Sequence, residues 1–260
     1  AGAQKVLDNR GVLTRGIVPD WAQMITCGVD VQQTCLYYAV DAWGQGKKIY
    51  HLDHGCIKGT DFNTLWDIIN QTYYNERGQD WYIDLALIDS GDQTDTVYDF
   101  CYLHFPLTVP VKGSSRPIPA RFRRSEIQKE DSVAKGLSLI VCDGSYYKSM
   151  LYAKINAVDG SFQVFDGVDQ EYCEQVTNEH KVFERKNGVE SWVWQKKTSD
   201  AQNHYLDCEV YASCAADLMG AFALLEEPVE QPDPEINPEP EERNWEDDAW
   251  DGDDWEDDWD

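Results

Sequence analysis

The sequence predicts an α/β domain: a mixed central sheet of three antiparallel strands followed by αβ units, flanked by helices. Two observations carry this. Apolar and aromatic runs follow the order β-β-β-α-β-α-β between residues 25 and 111. The first three runs are joined by connections too short for a crossover, so they pair as an antiparallel meander. The later strands alternate with helices, which adds crossover strands and lays helices on the sheet.

Ile25–Val31 (ITCGVDV) reads as a buried strand, and Cys35–Trp43 (CLYYAVDAW) as a second, rich in β-formers. Gly44-Gln45-Gly46 is a turn into a third strand, Lys48–Cys56. Asp61 is placed to cap a helix over Phe62–Asn75, with Phe62, Leu65, Trp66, Ile69 and Tyr73 at helical spacing. Ile83–Asp89 is a short apolar strand, Thr94–His104 a helix and Leu107–Val111 a fifth strand. Beyond a basic loop, Lys112–Lys129, the reading is strand at Leu137–Cys142 and helix at Tyr147–Ile155. Short strands follow at Phe162–Phe165, Lys181–Glu184 and Trp192–Trp194, around a small helix at Gln170–Thr177. The clearest helix is Gln202–Leu225, with an apolar stripe from Leu206 through Val210, Cys214 and Leu218 to Phe222.

Charge divides the chain. It has 260 residues, 48 acidic and 22 basic, for a net charge of −26. Residues 227–260 carry 17 Asp or Glu against a single Arg243, and half of the ten prolines. Such a segment is expected to be a disordered acidic tail. Residues 21–226 are expected to form one domain and residues 1–20, polar and Gly-containing, a linker. The acidity excludes a histone-like basic binder. No apolar run reaches membrane-spanning length, and no charged-then-apolar leader marks the chain for secretion. The eight cysteines include no Cys-x-x-Cys pair and mostly lie in apolar runs, so they read as reduced buried thiols rather than zinc ligands or disulfides.

Three carboxylates stand where apolar residues belong. Asp30 lies within the first strand, Asp89 ends the fourth, and Asp207 shares a helix face with Tyr211, Cys214 and Leu218. An ionised carboxylate in apolar surroundings is costly unless a cation or a proton accompanies it. Taken singly, each reads as a cap or strand-end residue facing water. Taken together, from two strands and a helix, they form a set able to hold two Mg²⁺ or Mn²⁺ ions about 4 Å apart. Hard oxygen ligands suit those ions better than zinc. Acids at the first strand, the fourth strand and the last helix of this order make the ribonuclease H-like plan.

These segments resemble a known family, the C-terminal nuclease domain of the large terminase subunit of tailed bacteriophages, in the lambda-like branch. Gly28-Val29-Asp30-Val31-Gln32 is similar to its first acidic strand, and Ile88-Asp89-Ser90-Gly91 with Thr96-Val97-Tyr98 to its second acidic segment. Val111-Lys112-Gly113 resembles the step into its basic loop, and Tyr172–Thr177 its aromatic-x-Glu-Gln-hydrophobic-Thr stretch. Asn203–Cys208 with Tyr211-Ala212 resembles its last motif. The resemblance implies a metal-dependent endonuclease that cuts concatemeric viral DNA during packaging, with Asp30, Asp89 and Asp207 as catalytic metal ligands for two Mg²⁺ or Mn²⁺ ions. It further implies the host cytoplasm as location, and the viral portal and small terminase subunit as partners.

The chain lacks the Gly-x-x-x-x-Gly-Lys-Ser/Thr loop of the family's packaging ATPase, so no ATPase activity is expected and the chain reads as an excised domain. Asp92 stands where the family often has Gly, and reads as a helix cap in competition with Thr94 and Asp95. His204, one turn before Asp207, is expected to support Asp207; direct metal ligation, proton donation and a plain helix-start role are the alternatives. His51, His54, His104 and His180 show no informative spacing. Lys112, Arg116, Arg121, Arg123, Arg124 and Lys129, opposed only by Glu126, form the expected contact to the double-stranded DNA backbone; a mobile surface loop is the alternative. Lys148, Lys196 and Lys197 read either as phosphate contacts or as solvated surface. The tail's Trp245, Trp250, Trp255 and Trp259 suit separate docking pockets on a partner, with DNA mimicry as a second reading and a solubilising tail as a third. A Holliday-junction resolvase-like nuclease on the same fold and a catalytically silent docking module remain the alternatives for the whole domain.

Overall fold

The computed structural model describes residues 2–114, 118–186 and 188–224. The expected tail, 227–260, lies outside the described residues.

The chain opens with α1 (Ala3–Asp8), β1 (Arg10–Thr14) and β2 (Ile17–Val18). The meander follows as β3 (Met24–Val31), β4 (Cys35–Gly44) and β5 (Lys48–Lys58). Next come α2 (Phe62–Ile69), β6 (Tyr73–Asn75), β7 (Asp80–Trp81), β8 (Leu85–Asp89), α3 (Thr94–Leu103) and β9 (Thr108–Gly113). Then come β10 (Phe122–Glu126), β11 (Ser138–Cys142), α4 (Gly144–Asn156), β12 (Phe162–Asp166) and α5 (Gln170–Val176). The last elements are β13 (Glu179–Lys186), β14 (Val189–Lys196) and α6 (His204–Leu218).

Among the described residues a nine-stranded sheet runs in the order β1-β12-β5-β4-β3-β8-β9-β11-β10. The β3–β4–β5 meander is antiparallel, and β3, β8, β9 and β11 run parallel. This is the expected mixed sheet with flanking helices, in a ribonuclease H-like arrangement.

Several local expectations change. Residues 1–20 are not a bare linker. Val6 and Val18 are fully buried, and β1 pairs with β12 to extend the sheet past β5. The expected helix over Phe62–Asn75 stops at Ile69, because Tyr73–Asn75 pairs with β2 and β7 instead. Its start is as read: the Asp61 carboxylate accepts from the N–H groups of Asn63 and Thr64. Asp92 is not the cap of α3; Gln93 holds that position in a left-handed conformation. The basic loop contains a strand, β10, whose Phe122–Glu126 pairs antiparallel with β11 at the sheet edge. The short strands at Lys181–Glu184 and Trp192–Trp194 are parts of one eight-residue-per-strand hairpin.

The last helix is shorter than expected, and its burial is not one stripe. From Tyr205 to Asp217 every residue of α6 except Asp207 is buried. The helix is covered by β3, β4 and β8 on one side and by α4 and α5 elsewhere. Gly28 makes the seating on β3 possible. A Cβ there would lie 1.9 Å from the carbonyl oxygen of Cys208 and 2.5 Å from the nitrogen of Ala212. Thr26 secures the same contact by donating its hydroxyl to the Ala212 carbonyl at 2.8 Å. All eight cysteines are free; Cys56 is exposed, Cys35 partly so, and the rest are buried. No helix among the described residues is long and apolar enough to cross a membrane.

Candidate active site

Sheet register places two of the expected acids side by side. Val29 pairs with Ile88 in the parallel β3–β8 ladder, so Asp30 and Asp89 are the next residues of neighbouring strands. Asp207, in the first turn of α6, completes the set from the helix that packs on those strands. The three charges act on one another. Burial pushes the Asp89 carboxyl up to about 6; the N–H of Gly91 opposes the shift, and Asp30 and Asp207 reinforce it. Burial also pushes Asp207 up to about 6, opposed by Lys148 and reinforced by Asp30 and Glu179.

Each acid is held by its own partners. Gln32 Nε2 donates to both oxygens of Asp30, at 3.0 and 2.9 Å. His204 Nδ1 lies 2.8 Å from Asp30 Oδ2, and its ring stacks on Tyr37 at 4.4 Å. His204, stacked on Tyr37 of β4, therefore contacts Asp30 and not the expected Asp207. Gly91 N–H donates to Asp89 Oδ1 at 3.0 Å. Asp207 is flanked by Lys148 Nζ at 3.4 Å and by Asn203 Nδ2 at 3.2 Å. Both partners also hold Glu179: Lys148 reaches its two oxygens at 2.8 and 2.9 Å, and Asn203 reaches Oε1 at 2.7 Å. Burial works against the Lys148 charge, but Asp207 and Glu179 together raise its pKa, so it stays cationic. Glu179 carries no signal in the sequence, since it lies far along the chain from Asp207, whereas Asn203 stands one helical turn before Asp207 in the same motif.

A cleft of about 590 Å³ opens beside Asp207. Lys148, Asp143, Tyr211 and the hairpin residues Trp192 and Trp194 line it, whereas Asp30 and Asp89 do not. The side chain of Asp207 keeps 31% of its exposure against 4% for Asp30, so Asp207 is more open to a ligand than Asp30.

A family model described as the terminase large subunit gpA endonuclease domain matches residues 2–224. The chain belongs to this family. No curated protein and no solved structure matches it.

The family is a nuclease domain, so this terminase chain has a hydrolase-type activity on phage DNA. A divalent ion suits its acids. Asp30, Asp89 and Asp207 offer oxygen donors alone, and the push of burial and neighbouring acids on the Asp89 and Asp207 carboxyls is what a bound cation would relieve. The three do not crowd around one point, however. Among the described residues, the group of three whose ligand atoms all lie within 4.8 Å of one another is Asp41, His51 and Glu209.

The Asp/His/Glu group is a candidate metal site that sequence reasoning missed. Its signal, His51-x-x-His54 on β5, is misleading because side chains three apart on a regular strand face opposite ways. Here the β4–β5 register shifts between Val40 and Asp41, and a bulge turns both rings to one side. Burial opposes a charge on His51, but Asp41 and Glu209 outweigh it and push the ring up to about 9. All three residues are fully buried, so DNA has no route to them.

The basic residues separate into two groups. Arg121 forms a two-point ion pair with Asp217, at 2.6 and 2.9 Å, and Tyr147 donates to the same carboxylate at 2.9 Å. Arg121 thus ties the sheet edge to the end of α6. Lys129 is paired with Asp95. Arg123 and Arg124 are exposed on β10, and Lys112 is partly buried near Asp89. Arg116 lies outside the described residues.

Proposed function

We propose that this terminase domain is a two-metal DNA endonuclease that cuts concatemeric viral DNA during packaging, with Asp30, Asp89 and Asp207 as its metal ligands. The observation that carries the reading is the meeting of Asp30 and Asp89 on adjacent strand ends beneath Asp207 of α6. Two Mg²⁺ or Mn²⁺ ions held there would activate a water and stabilise the leaving 3′ oxygen. The chain's own residues hold the acids ready: Gln32 and His204 orient Asp30, the Gly91 N–H orients Asp89, and Asn203 with Lys148 orients Asp207. Lys148, lining the cleft, also offers a fixed cation to a phosphate. Supercoiled plasmid nicking with and without Mn²⁺ tests the reading; no metal-dependent nicking would leave the docking-module alternative. A marked preference for branched over linear duplex DNA would instead favour a resolvase-like substrate.

The raised carboxyls give the reading a pH signature. Asp89 and Asp207 titrate near 6 when folded, above the ordinary value near 3.9 for Asp. Folding therefore favours their protonated forms, and that stabilisation is complete below about pH 4 and lost as pH rises through about 6. Metal binding needs the opposite forms. The Mn²⁺-induced rise in Tm is expected to be largest near pH 8 and to shrink below pH 6, with about a tenfold loss of affinity per pH unit for each proton displaced. Thermal melts across this range check it, and a metal effect independent of pH would count against these ligands.

Backbone DNA contacts fit Lys112, Arg123 and Arg124, with Arg116 continuing the same basic segment. Arg123→Ala with Arg124→Ala is expected to weaken duplex binding for all sequences alike and to lower the slope of log affinity against log salt by about 2. Arg121→Ala is expected instead to cost about 1–3 kcal/mol of stability, because it leaves the buried Asp217 without its cation. Equal salt slopes in all variants would place the DNA elsewhere. The portal, the small subunit and the tail's docking role, in the host cytoplasm, complete the proposal, with no ATPase activity in this chain.

A further inference from the structure

We propose that Asp41, His51 and Glu209 bind a structural zinc-type divalent ion, separate from the nuclease acids. The inference stands apart from the nuclease reading. Asp41 Oδ1 lies 2.8 Å and Glu209 Oε1 3.1 Å from the same nitrogen, Nδ1 of His51. Ligands about 2.0–2.1 Å from a tetrahedral zinc stand roughly 3.3 Å apart. Both separations from His51 are within tenths of an ångström of that, and all three ligand atoms lie within 4.8 Å of one another.

The hydrogen bonds behind His51 set its tautomer. His54 Nε2 lies 2.7 Å from Asp169 Oδ2, and a carboxylate accepts, so that nitrogen carries the proton. His54 Nδ1 is then the acceptor for His51 Nε2–H at 2.9 Å. In its neutral form His51 therefore aims the lone pair of Nδ1 between two carboxylates. Burial first, and then the Glu209 charge, push Asp41 well above the ordinary carboxyl range, so protons held on Asp41 and His51 are the alternative to a metal. A divalent ion replaces those protons, balances the two carboxylates and leaves the buried group neutral.

Two further features point the same way. Asp41 Oδ2 and Glu209 Oε2 are buried without a hydrogen-bond partner, in residues with no exposed surface. The outer partners are those of a metal centre: His54 behind the ligating imidazole, and Tyr172, whose hydroxyl donates to Glu209 Oε1 at 2.8 Å. A mixed imidazole and carboxylate set in an enclosed site suits zinc, whereas Mg²⁺ keeps several waters. Glu209 lies two residues beyond Asp207, about 200° further round α6, so the ion would pin the helix to β4 and β5 from the side away from the cleft.

The test uses the full chain carrying Asp30→Asn and Asp207→Asn, which disables the front acids. After chelation and desalting it is titrated with Zn²⁺, with bound metal counted by elemental analysis and Tm recorded. The expected result is one tightly held zinc per chain and a Tm several degrees above the chelated form. Adding His51→Gln is expected to abolish both. No bound zinc, or zinc retained in full after His51→Gln, overturns the proposal and leaves a shared proton as the cluster's charge balance. If the His51 variant does not fold, Co²⁺ loaded into the otherwise unsubstituted chain decides. Visible bands of nitrogen and oxygen coordination that persist in excess Mg²⁺ are expected. Absence of those bands, or thiolate charge-transfer bands from the cysteines, overturns it.

Discussion

Asp207→Asn is expected to lower Mn²⁺-dependent nicking by about 10³-fold or more while the protein melts no lower than its parent. The two halves have one cause. Asp207 is a carboxylate that burial and the neighbouring Asp30 and Glu179 disfavour in its charged form. Its ionised state is useful only to a cation, so removing the charge deprives a metal of a ligand and relieves the metal-free fold. Lys148 does not become an orphan, since Glu179 still holds it at 2.8 and 2.9 Å. Metal-free melts near pH 8 should show the variant equal or higher, with the gap closing towards pH 5 as the parent's own carboxyl takes up its proton. Nicking at the parental rate would mean that the metal ligands are elsewhere. Lost activity with a large drop in Tm would mean that Asp207 serves the fold instead.

Gly28→Ala is expected to cost about 3–5 kcal/mol, or to prevent folding, because the added methyl meets backbone and not a movable side chain. Its Cβ would stand 1.9 Å from the Cys208 carbonyl oxygen. The helix must lift off β3 by well over an ångström, and its hydrogen bond from Thr26 to Ala212 goes with it. For a domain of this size the Tm should fall by roughly 10 °C or more. Nicking should fall as well, since the same lift separates Asp207 from Asp30. Gly144→Ala is the control. It opens α4, a Cβ there meets nothing within 4 Å, and it should be neutral or slightly stabilising. Equal melting of the two variants would show that α6 is not seated as closely as described.

Gly28 is also why the first acidic motif is legible in the sequence. Gly-hydrophobic-Asp combines the residue that admits α6 with the acid two positions on, and both act through the same strand. Asp89 at the end of an apolar run and Asp207 on the face shared with Tyr211, Cys214 and Leu218 are equally visible, whereas Glu209 and Asp217 of the same helix show their roles only through His51 and Arg121. Less visible were features that depend on a remote partner. Residues 10–14 look like a linker until β12 pairs with them, and Tyr73–Asn75 looks helical until β2 does. Arg121 belongs by composition with Arg123 and Arg124, yet Asp217 claims it from 96 residues away.

The β-β-β-α-β-α-β order, the placing of three acids on two strands and a helix, and the family to which they point are all legible in the residues before any folding is considered. These are local matters of periodicity, capping and residue type, written within a few positions of one another. Tertiary structure alone decided that His204 serves Asp30, that Lys148 and Glu179 adjoin Asp207, and that a bulge turns His51 and His54 to one side beside Asp41 and Glu209. Such pairings depend on where strands and helices far apart in the chain come to rest, and one residue of slip in a strand is enough to reverse the face that a side chain presents.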